Sequence, residues 1–405
     1  MMDRIKPALA ALALALAGAS GARADDKVVR IGVLNDMSGP YSNFQGPGSV
    51  LAAQMAVEDF GGKAAGRPVE VLSADHQNKP DVGAAIARQW IDTQGVDMIA
   101  DLPNSAVALA VNQIVKEKNK ALVASGAGTS ALTGEQCSPN TVQWTYDTYS
   151  LGHALARAVV AAGDTSWFFI TADYAFGHDL EKQATDELLR RGGKVLGGVR
   201  HPVGASDFSS FVLQAQASGA QVVALANAGN DETNTLKAAA EFGLNKKQRL
   251  VSLIFDLQNV PALGLKAIEG LLLVNATYWN RDDKSREWSR RYQARLASHE
   301  MPNHMQMGVY ASVLHYLKAV DKVGNAVDGK AVVDAMKALP TDDILFGTGS
   351  IRADGRGMHP MYLLQVKSPE ESKGEWDYFA VLKTIPADEA FRPLSAGNCA
   401  LVAAK

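Results

Sequence analysis

The chain has 405 residues, with 40 Lys and Arg against 43 Asp and Glu and a net charge of −3 at pH 7. This length accommodates two domains, and the near balance of charge argues against the basic patch that nucleic-acid binding requires. The two cysteines, Cys137 and Cys399, have no metal-like spacing to another Cys or His.

The first 24 residues predict a secretory signal peptide. A basic start precedes the short apolar run ALAALALALA, and an A-x-A triplet ending at Ala24 marks a cleavage site. No later segment is long and apolar enough to span a bilayer. We therefore expect a soluble mature protein that starts near Asp25 in a bacterial periplasm. Cysteines of exported proteins usually pair, so we predict a disulfide between Cys137 and Cys399.

Short apolar runs alternate with helical patterns along the mature chain. Strands are predicted at 28–34, 69–75, 96–101, 120–125, 167–173, 194–201, 221–227, 249–256 and 271–278. Several helical stretches between them end in Gly, a common helix stop. The strand runs are nearly continuous Val, Ile and Leu, as in parallel strands covered on both faces. This repetition predicts a doubly wound α/β fold.

The strand–helix units form two series, which predict two Rossmann-like lobes. Four units precede the segment QWTYDTYSLG at 143–152, and about as many follow it. Amphipathic helices at roughly 284–298 and 306–323, a third near 330–338 and a short β-like tail complete the fold. Because no Gly/Ser or Pro linker separates the halves, we expect tightly coupled lobes.

Ligands of open α/β sheets bind beyond the carboxyl ends of the strands. These ends carry polar residues at Asp36 and Ser38, Asp75 and His76, Pro103 to Ser105, Ser125 to Ser130, Asp173 to Gly177, Asn227 to Asp231, and Phe255 and Asp256. There is no G-x-S-x-G elbow, H-E-x-x-H or Walker loop, and GAGTSA at 126–131 does not open a helix as a dinucleotide fingerprint must. The strand ends therefore favour binding over catalysis, with no metal or cofactor.

Two of these strand ends carry candidate ligand contacts. Tyr174 and Phe176 stand in the turn between a strand and a helix, where rings either fill a local core or face a docked molecule. Asn104 or Ser105 can cap the helix that begins at Ala106. The same helix start offers free N–H groups to a ligand carboxylate.

These segments resemble the periplasmic binding proteins of ABC importers, of the branched-chain amino acid (leucine-binding) type. The resemblance rests on IGVLNDMSGPYSNFQGPG, MIADLPNSAVALAV, ALVASGAGTSALTG and TADYAFGHDLEK, in this order and spacing. It implies two lobes joined by three crossover strands, which close on a ligand. The implied lobes are 25–147 plus 279–357 and 148–278 plus 358–385, followed by a tail at 386–405.

The resemblance also implies a ligand set. Its members are Asn104, Ser105, Ala127, Gly128, Thr129, Tyr174, Phe176, Asn227 and Asp256. Asn104 or Ser105 matches a position that binds the ligand carboxylate, and 127–129 match a segment that holds its carboxylate and amine. Phe176 replaces the usual tyrosine. Asn227 and Ala228 fall where leucine-type members have glycine and an aromatic residue.

The implied function is non-enzymatic capture of a small carboxylate-bearing solute and its delivery to a membrane permease. The solute is a branched-chain or other apolar amino acid if Asp256 faces the cleft, where it would pair with an α-ammonium group. If Asp256 instead caps the next stretch, an aromatic or branched carboxylic acid fits better. A sensor lobe and a secreted α/β enzyme are the alternatives. We expect a monomer without cofactor.

Overall fold

The computed structural model describes residues 28–402. The predicted signal peptide at 1–24 and the start of the mature chain near Asp25 lie outside the described residues. Cys137 and Cys399 form a disulfide with a Cα–Cα distance of 5.6 Å, as predicted. Among the helices at 28–402, none has the length and apolarity to cross a membrane.

The first lobe is built on a six-stranded sheet. Its strands are β1 (Val29–Asn35), β2 (Lys63–Ala64), β3 (Arg67–Asp75), β4 (Met98–Asp101), β5 (Ala121–Ala124) and β6 (Thr141–Gln143), and its first helices are α1 (Gly46–Asp59), α2 (Pro80–Thr93) and α3 (Ser105–Glu117). The strand order is β2-β3-β1-β4-β5-β6, and only the β2–β3 hairpin is antiparallel.

The second lobe is built on a parallel four-stranded sheet. Its strands are β7 (Ser166–Ala172), β8 (Lys194–His201), β9 (Val222–Ala226) and β10 (Arg249–Ser252), and its helices are α4 (Thr148–Ala161), α5 (Ala175–Arg190), α6 (Ser209–Ala217), α7 (Gly229–Glu241), α8 (Val260–Leu263) and α9 (Leu265–Ile268). The strand order is β10-β9-β7-β8.

The rest of the chain returns to both lobes. It forms β11 (Leu272–Asn275), α10 (Asp283–Arg295), α11 (His304–Val323), α12 (Gly329–Ala338), β12 (Thr341–Asp343), β13 (Gly347–Ile351), β14 (Gly357–Met358), β15 (Met361–Val366), β16 (Phe379–Ile385) and α13 (Ala387–Ala390). Helix α11 packs on α1 of the first lobe, whereas β11, β15 and β16 form an antiparallel sheet whose buried side chains join the core of the second lobe. The exact lobe boundaries at 147, 278 and 357 stay a prediction.

The α/β fold follows from strands that are apolar on both faces. Every residue of β4, β5, β7 and β9 is buried, and full burial of one Val, Leu or Ile side chain contributes about 1.5–3 kcal/mol. The strand predicted at 249–256 is too long, because β10 ends at Ser252. Asp256 instead stands at the N-cap position of the 3-10 turn Leu257–Asn259, as the alternative interpretation had it, but its side chain is buried and not solvated as that interpretation expected.

Buried contacts also join two segments at which crossovers between the lobes are predicted. Arg356 is fully buried, and its guanidinium group donates to the carbonyl oxygens of Tyr146, over 2.8 Å, and Trp144. His359 Nε2 lies 3.0 Å from the same Trp144 oxygen. The segment of Arg356 and His359 is therefore tied to residues 144–146, close to two of the predicted lobe boundaries.

Candidate functional site

A cleft between the lobes is the candidate binding site. It is lined by Tyr41, Phe44, Gln45, Pro103, Gly126, Tyr146, Tyr174, Phe176, Ala228, Gly229, Ile254 and Met305. Five of these side chains are aromatic, and none is charged. Clefts that bind small organic ligands have this character, with a few polar groups that fix orientation.

The two lobes meet directly at one edge of the cleft. The hydroxyl oxygens of Tyr41, in the loop after β1, and Tyr174, at the start of α5, lie 2.7 Å apart. Asn230 N–H donates to the carbonyl oxygen of Pro40 over 3.3 Å. Gly229 has φ +67°, and a Cβ there would lie 2.5 Å from the same oxygen. Only glycine allows this approach of the two backbones.

The predicted contacts Ala127 and Gly128 lie in a tight loop behind the cleft lining. Tyr146 donates its hydroxyl to the Gly126 carbonyl over 2.6 Å. A Cβ on Gly128 would lie 2.7 Å from the Phe176 ring and 2.9 Å from the Tyr146 ring, so glycine is required there. Within residues 28–402, the backbone N–H groups of Ala127 and Gly128 have no hydrogen-bond acceptor. Free N–H groups of this kind are suited to a carboxylate.

Thr129, the third residue of the predicted segment, contacts a carboxylate of the opposite lobe. Its hydroxyl donates to Asp179 of α5 over 3.3 Å. Ser130 N–H and the Thr148 hydroxyl donate to the same Asp179 oxygen over 2.7 and 2.6 Å. Gln183 donates to the other oxygen over 2.9 Å. The Thr129 hydroxyl therefore anchors the loop to α5, and its contact with a ligand stays a prediction.

Asn104 and Ser105 are both buried beside the cleft without lining it. The Asn104 side chain accepts hydrogen bonds from the N–H groups of Ala106 and Val107 over 2.9 and 3.2 Å, which is the predicted cap of α3. The Ser105 hydroxyl accepts from Thr129 N–H over 3.2 Å. Pro103 is the residue of this segment that lines the cleft.

Asn227 points into the second lobe, away from the lining residues. Its Nδ2 atom lies 3.0 Å from His201 Nε2 and donates to the Thr235 hydroxyl over 3.0 Å. Ala228 and Gly229 line the cleft at this strand end. Ala228, which occupies the position where leucine-type members carry an aromatic side chain, thus presents only a methyl group to the cleft.

Asp256 is buried beneath the cleft, where His304 of α11 is its partner. His304 Nε2 lies 3.1 Å from Asp256 Oδ2, close but poorly aligned for a hydrogen bond. Ala276 N–H donates to His304 Nδ1 over 3.1 Å, so the ring proton lies on Nε2, facing the carboxylate. Asn275 donates to the other Asp256 oxygen over 3.2 Å. A second buried carboxyl group, that of Glu232 in α7, lies near Asp256. Burial, together with the Asp256 charge, raises the pKa of Glu232 well above its usual value.

The three tyrosines of the lining are neutral hydrogen-bonding groups. Burial raises the pKa of Tyr41, Tyr146 and Tyr174 above the usual value of a phenol. Gln45 is the other polar side chain of the lining, and its Nε2 atom donates to Asp101 over 3.1 Å. Burial raises the pKa of Asp101 to about 7.

Sequence reasoning identified Tyr174 and Phe176 and missed most of the other lining residues. The missed side chains are those of Tyr41, Phe44, Gln45, Tyr146, Ile254 and Met305. Three of them lie in GPYSNFQGPG, just beyond the end of β1, and aromatic residues at a strand end were the signal that identified Tyr174. Met305 opens a helix far along the chain, and nothing in its sequence context marks it.

Comparison with known proteins gives extensive matches. The model of a periplasmic binding protein family matches residues 28–375. A crystal structure of a periplasmic binding protein from Burkholderia mallei is 48% identical, covers 93% of this chain and 100% of that chain, and has a TM-score of 0.90. A branched chain amino acid ABC transporter periplasmic ligand-binding protein from Burkholderia xenovorans is 40% identical, covers 92% of this chain and 99% of that one, and has a TM-score of 0.82.

The chain is also similar to more distant proteins. The Leu/Ile/Val-binding protein homolog 6 of Brucella melitensis is 27% identical over 82% of this chain and 86% of its own length. An ABC transporter solute-binding protein from R. palustris, solved with benzoate, is 19% identical, covers 89% of this chain and 97% of that one, and shares the fold with a TM-score of 0.79. The match over residues 28–375, the two lobes and the cleft between them lead to one conclusion: the chain belongs to the periplasmic binding protein family.

Proposed function

We propose that the protein is the solute-binding component of an ABC importer and captures a small aromatic or branched carboxylic acid. The observation that carries this proposal is a cleft with five aromatic and no charged side chains, next to the free N–H groups of Ala127 and Gly128. The rings suit an apolar body, and the N–H groups suit a carboxylate. A ligand that contacts both lobes favours the closed form through its differential affinity for that form.

The partner of Asp256 favours an acid over an amino acid. Burying an unpaired carboxylate is very costly, and an α-ammonium group of a ligand would be one way to satisfy it. Here His304 and Asn275 contact the carboxylate from the protein side. Asp256 is also absent from the lining residues. A ligand ammonium group in the cleft would therefore not meet this carboxylate directly.

An apolar amino acid is the second candidate. It is favoured by the description of the 40% identical Burkholderia xenovorans relative as a branched chain amino acid ABC transporter protein. A thermal-shift panel distinguishes the two candidates. It compares benzoate, 4-hydroxybenzoate, 3-phenylpropenoate and 4-methylpentanoate with leucine, isoleucine, valine and phenylalanine. Stabilisation by the acids supports the first candidate, stabilisation by the amino acids alone supports the second, and no response to any carboxylate contradicts both.

The place and partner of the protein form part of the proposal. We propose that the chain is exported to the periplasm, acts as a monomer without catalysis, and delivers its ligand to a permease. N-terminal sequencing of the mature protein is expected to start near Asp25. Ligand-loaded protein is expected to stimulate the ATPase of the cognate transporter in proteoliposomes. Recovery of a chemically altered ligand after incubation would instead indicate an enzyme.

A further inference from the structure

Gln45 is a buried amide in the cleft wall, and only one end of the amide has a partner. The side chain is 1% exposed, and its Nε2 donates to Asp101 Oδ1 over 3.1 Å. The Oε1 atom has no hydrogen-bond partner within residues 28–402. A buried acceptor left unpaired costs about 1–3 kcal/mol. Because Gln45 lines the cleft, a ligand is the natural source of the missing donor.

The neighbouring carboxylate fixes which end of the amide faces the cleft. Asp101 accepts from Asn35 Nδ2 at Oδ2 over 2.6 Å and from Gln45 Nε2 at Oδ1. An ionised carboxylate only accepts hydrogen bonds. Above pH 7, where Asp101 is ionised, the amide N–H group of Gln45 must therefore face Asp101, which leaves its carbonyl oxygen for other partners.

The backbone around Gln45 is shaped to hold this arrangement. Gly126 packs flat against the amide, and a Cβ there would lie 1.9 Å from Gln45 Nε2. Asp101 and Leu102 have φ values of +80° and +60°, in the left-handed region. Such residues cost of order 1–3 kcal/mol each and cluster at binding sites. They place the Asp101 carboxylate under Gln45 at the end of β4.

We propose that Gln45 determines specificity, with its carbonyl oxygen accepting a hydrogen bond from an O–H or N–H group of the ligand. The inference rests on the proposed function, because it concerns a carboxylate bound in the same cleft. It narrows the ligand to a hydroxylated acid or an amino acid. A plain acid would bury the Gln45 oxygen unpaired, and sites built to hydrogen-bond a ligand group reject analogues that lack it.

Two matched ligand pairs test the proposal. The pairs are 4-hydroxybenzoate with benzoate, and leucine with 4-methylpentanoate, and each differs in one donor group. Calorimetric titrations at pH 8 compare the wild type with Gln45→Met, which keeps the length of the side chain and removes the carbonyl oxygen. Gln214→Met is the matched control, since Gln214 is an exposed residue of α6. Circular dichroism melting shows whether each variant is folded.

The expected result is a preference of at least about tenfold for the donor-bearing member of one pair in the wild type and in Gln214→Met. The preference falls to within about twofold in Gln45→Met. A preference for 4-hydroxybenzoate would identify the ligand donor as a hydroxyl group, and a preference for leucine would identify it as an ammonium group. Gly126→Ala is the second variant, because its Cβ displaces the Gln45 amide without removing it, and it is expected to lose the preference too.

Two results would overturn the inference. One is equal binding of both members of each pair to the wild type. The other is a preference that survives in both Gln45→Met and Gly126→Ala. Tight binding of the plain acids would leave the proposed function intact while excluding the role of Gln45. Failure of all four ligands to bind, together with no response to any carboxylate of the thermal-shift panel, would contradict the proposed function itself.

Discussion

The hydroxyl oxygens of Tyr41 and Tyr174 lie 2.7 Å apart and connect the two lobes across the edge of the cleft. Both phenols remain protonated near neutral pH, because burial raises their pKa. One hydroxyl therefore donates to the other. A typical hydrogen bond contributes about 0.5–1.5 kcal/mol, and this one is available only when the loop after β1 meets the start of α5.

We expect Tyr41→Phe and Tyr174→Phe each to weaken ligand binding by about 2- to 10-fold. The double variant is expected to lose little more than either single variant, because both remove the same bond. Calorimetry of the four proteins measures this coupling, with Tyr378→Phe in the second lobe as the control. Fully additive losses would mean that the two hydroxyls act independently.

Asp256 is expected to affect stability rather than ligand choice. Asp256→Asn weakens the contact with His304 Nε2, which lies 3.1 Å from the carboxylate. We expect the free energy of unfolding to fall by about 1–3 kcal/mol, with ligand affinity within about threefold of the wild type. Urea denaturation and calorimetry on the same preparations provide both values. A large loss of affinity at unchanged stability would restore the amino-acid interpretation of this residue.

Asp179 is expected to hold the loop that carries Ala127 and Gly128. It accepts hydrogen bonds from Thr129, Ser130 and Thr148, and bonds to a charged group contribute about 1.5–3 kcal/mol each. Asp179→Asn removes the charge and places an N–H₂ group among these donors. We expect a loss of stability of at least about 2 kcal/mol, together with weaker ligand binding.

The control for Asp179→Asn is Asp186→Asn on the same helix. Asp186 is exposed and, among the residues at 28–402, forms an ion pair only with Lys182 at the surface, where such pairs contribute about 0.3–0.5 kcal/mol. Thermal and urea unfolding of the two variants measure the difference. Equal effects would show that the hydrogen bonds around Asp179 do not anchor the loop.

Much of the fold was predictable because it depends on local patterns. The central strands of both sheets are buried on both faces, and Tyr174 and Phe176 follow the carboxyl end of a strand, the end at which ligands of open α/β sheets bind. The role of Gln45 was not predictable, since its orientation depends on Asp101, which is distant in sequence. Asp256 was placed at a strand end because LIFD continues an apolar run, yet β10 stops at Ser252. The helix that brings His304 to this carboxylate follows far along the chain.

Asp101 is expected to make stability depend on pH. Burial raises its pKa to about 7 from a model-compound value of 3.8, so the folded state favours the protonated form. The stabilising effect of this proton is complete below about pH 4 and is lost as the pH rises to about 7, with a slope of up to about 1.4 kcal/mol per pH unit. The titratable neighbours Tyr146 and Tyr292 stay neutral there, because burial raises their pKa.

Asp101→Asn removes this titration and keeps the size of the side chain, and asparagine tolerates the positive φ at this position. We expect the variant to be more stable relative to the wild type at pH 8 than at pH 5. The free energy of unfolding of the variant minus that of the wild type is therefore expected to be larger at pH 8. Urea denaturation at the two pH values measures the difference. A difference that does not change with pH would show that Asp101 does not titrate in this range.

The disulfide is expected to stabilise the described fold by joining the C-terminal segment to the first lobe. Cys137 and Cys399 are separated by 262 residues, and closing a loop this long contributes at most about 5.6 kcal/mol in the chain-entropy model. Cys137→Ser with Cys399→Ser is expected to lower Tm without changing ligand affinity at 25 °C. A variant with the Tm of the wild type would contradict this role.

The measurement that tests the central claim most directly is identification of the solute that the cleft binds. The purified protein is analysed by native mass spectrometry, and the bound molecule is released by unfolding and identified. We predict one small carboxylic acid per chain, with an aromatic or branched body and an O–H or N–H donor. A bound solute without a carboxylate, such as a sugar or a polyamine, would contradict the account.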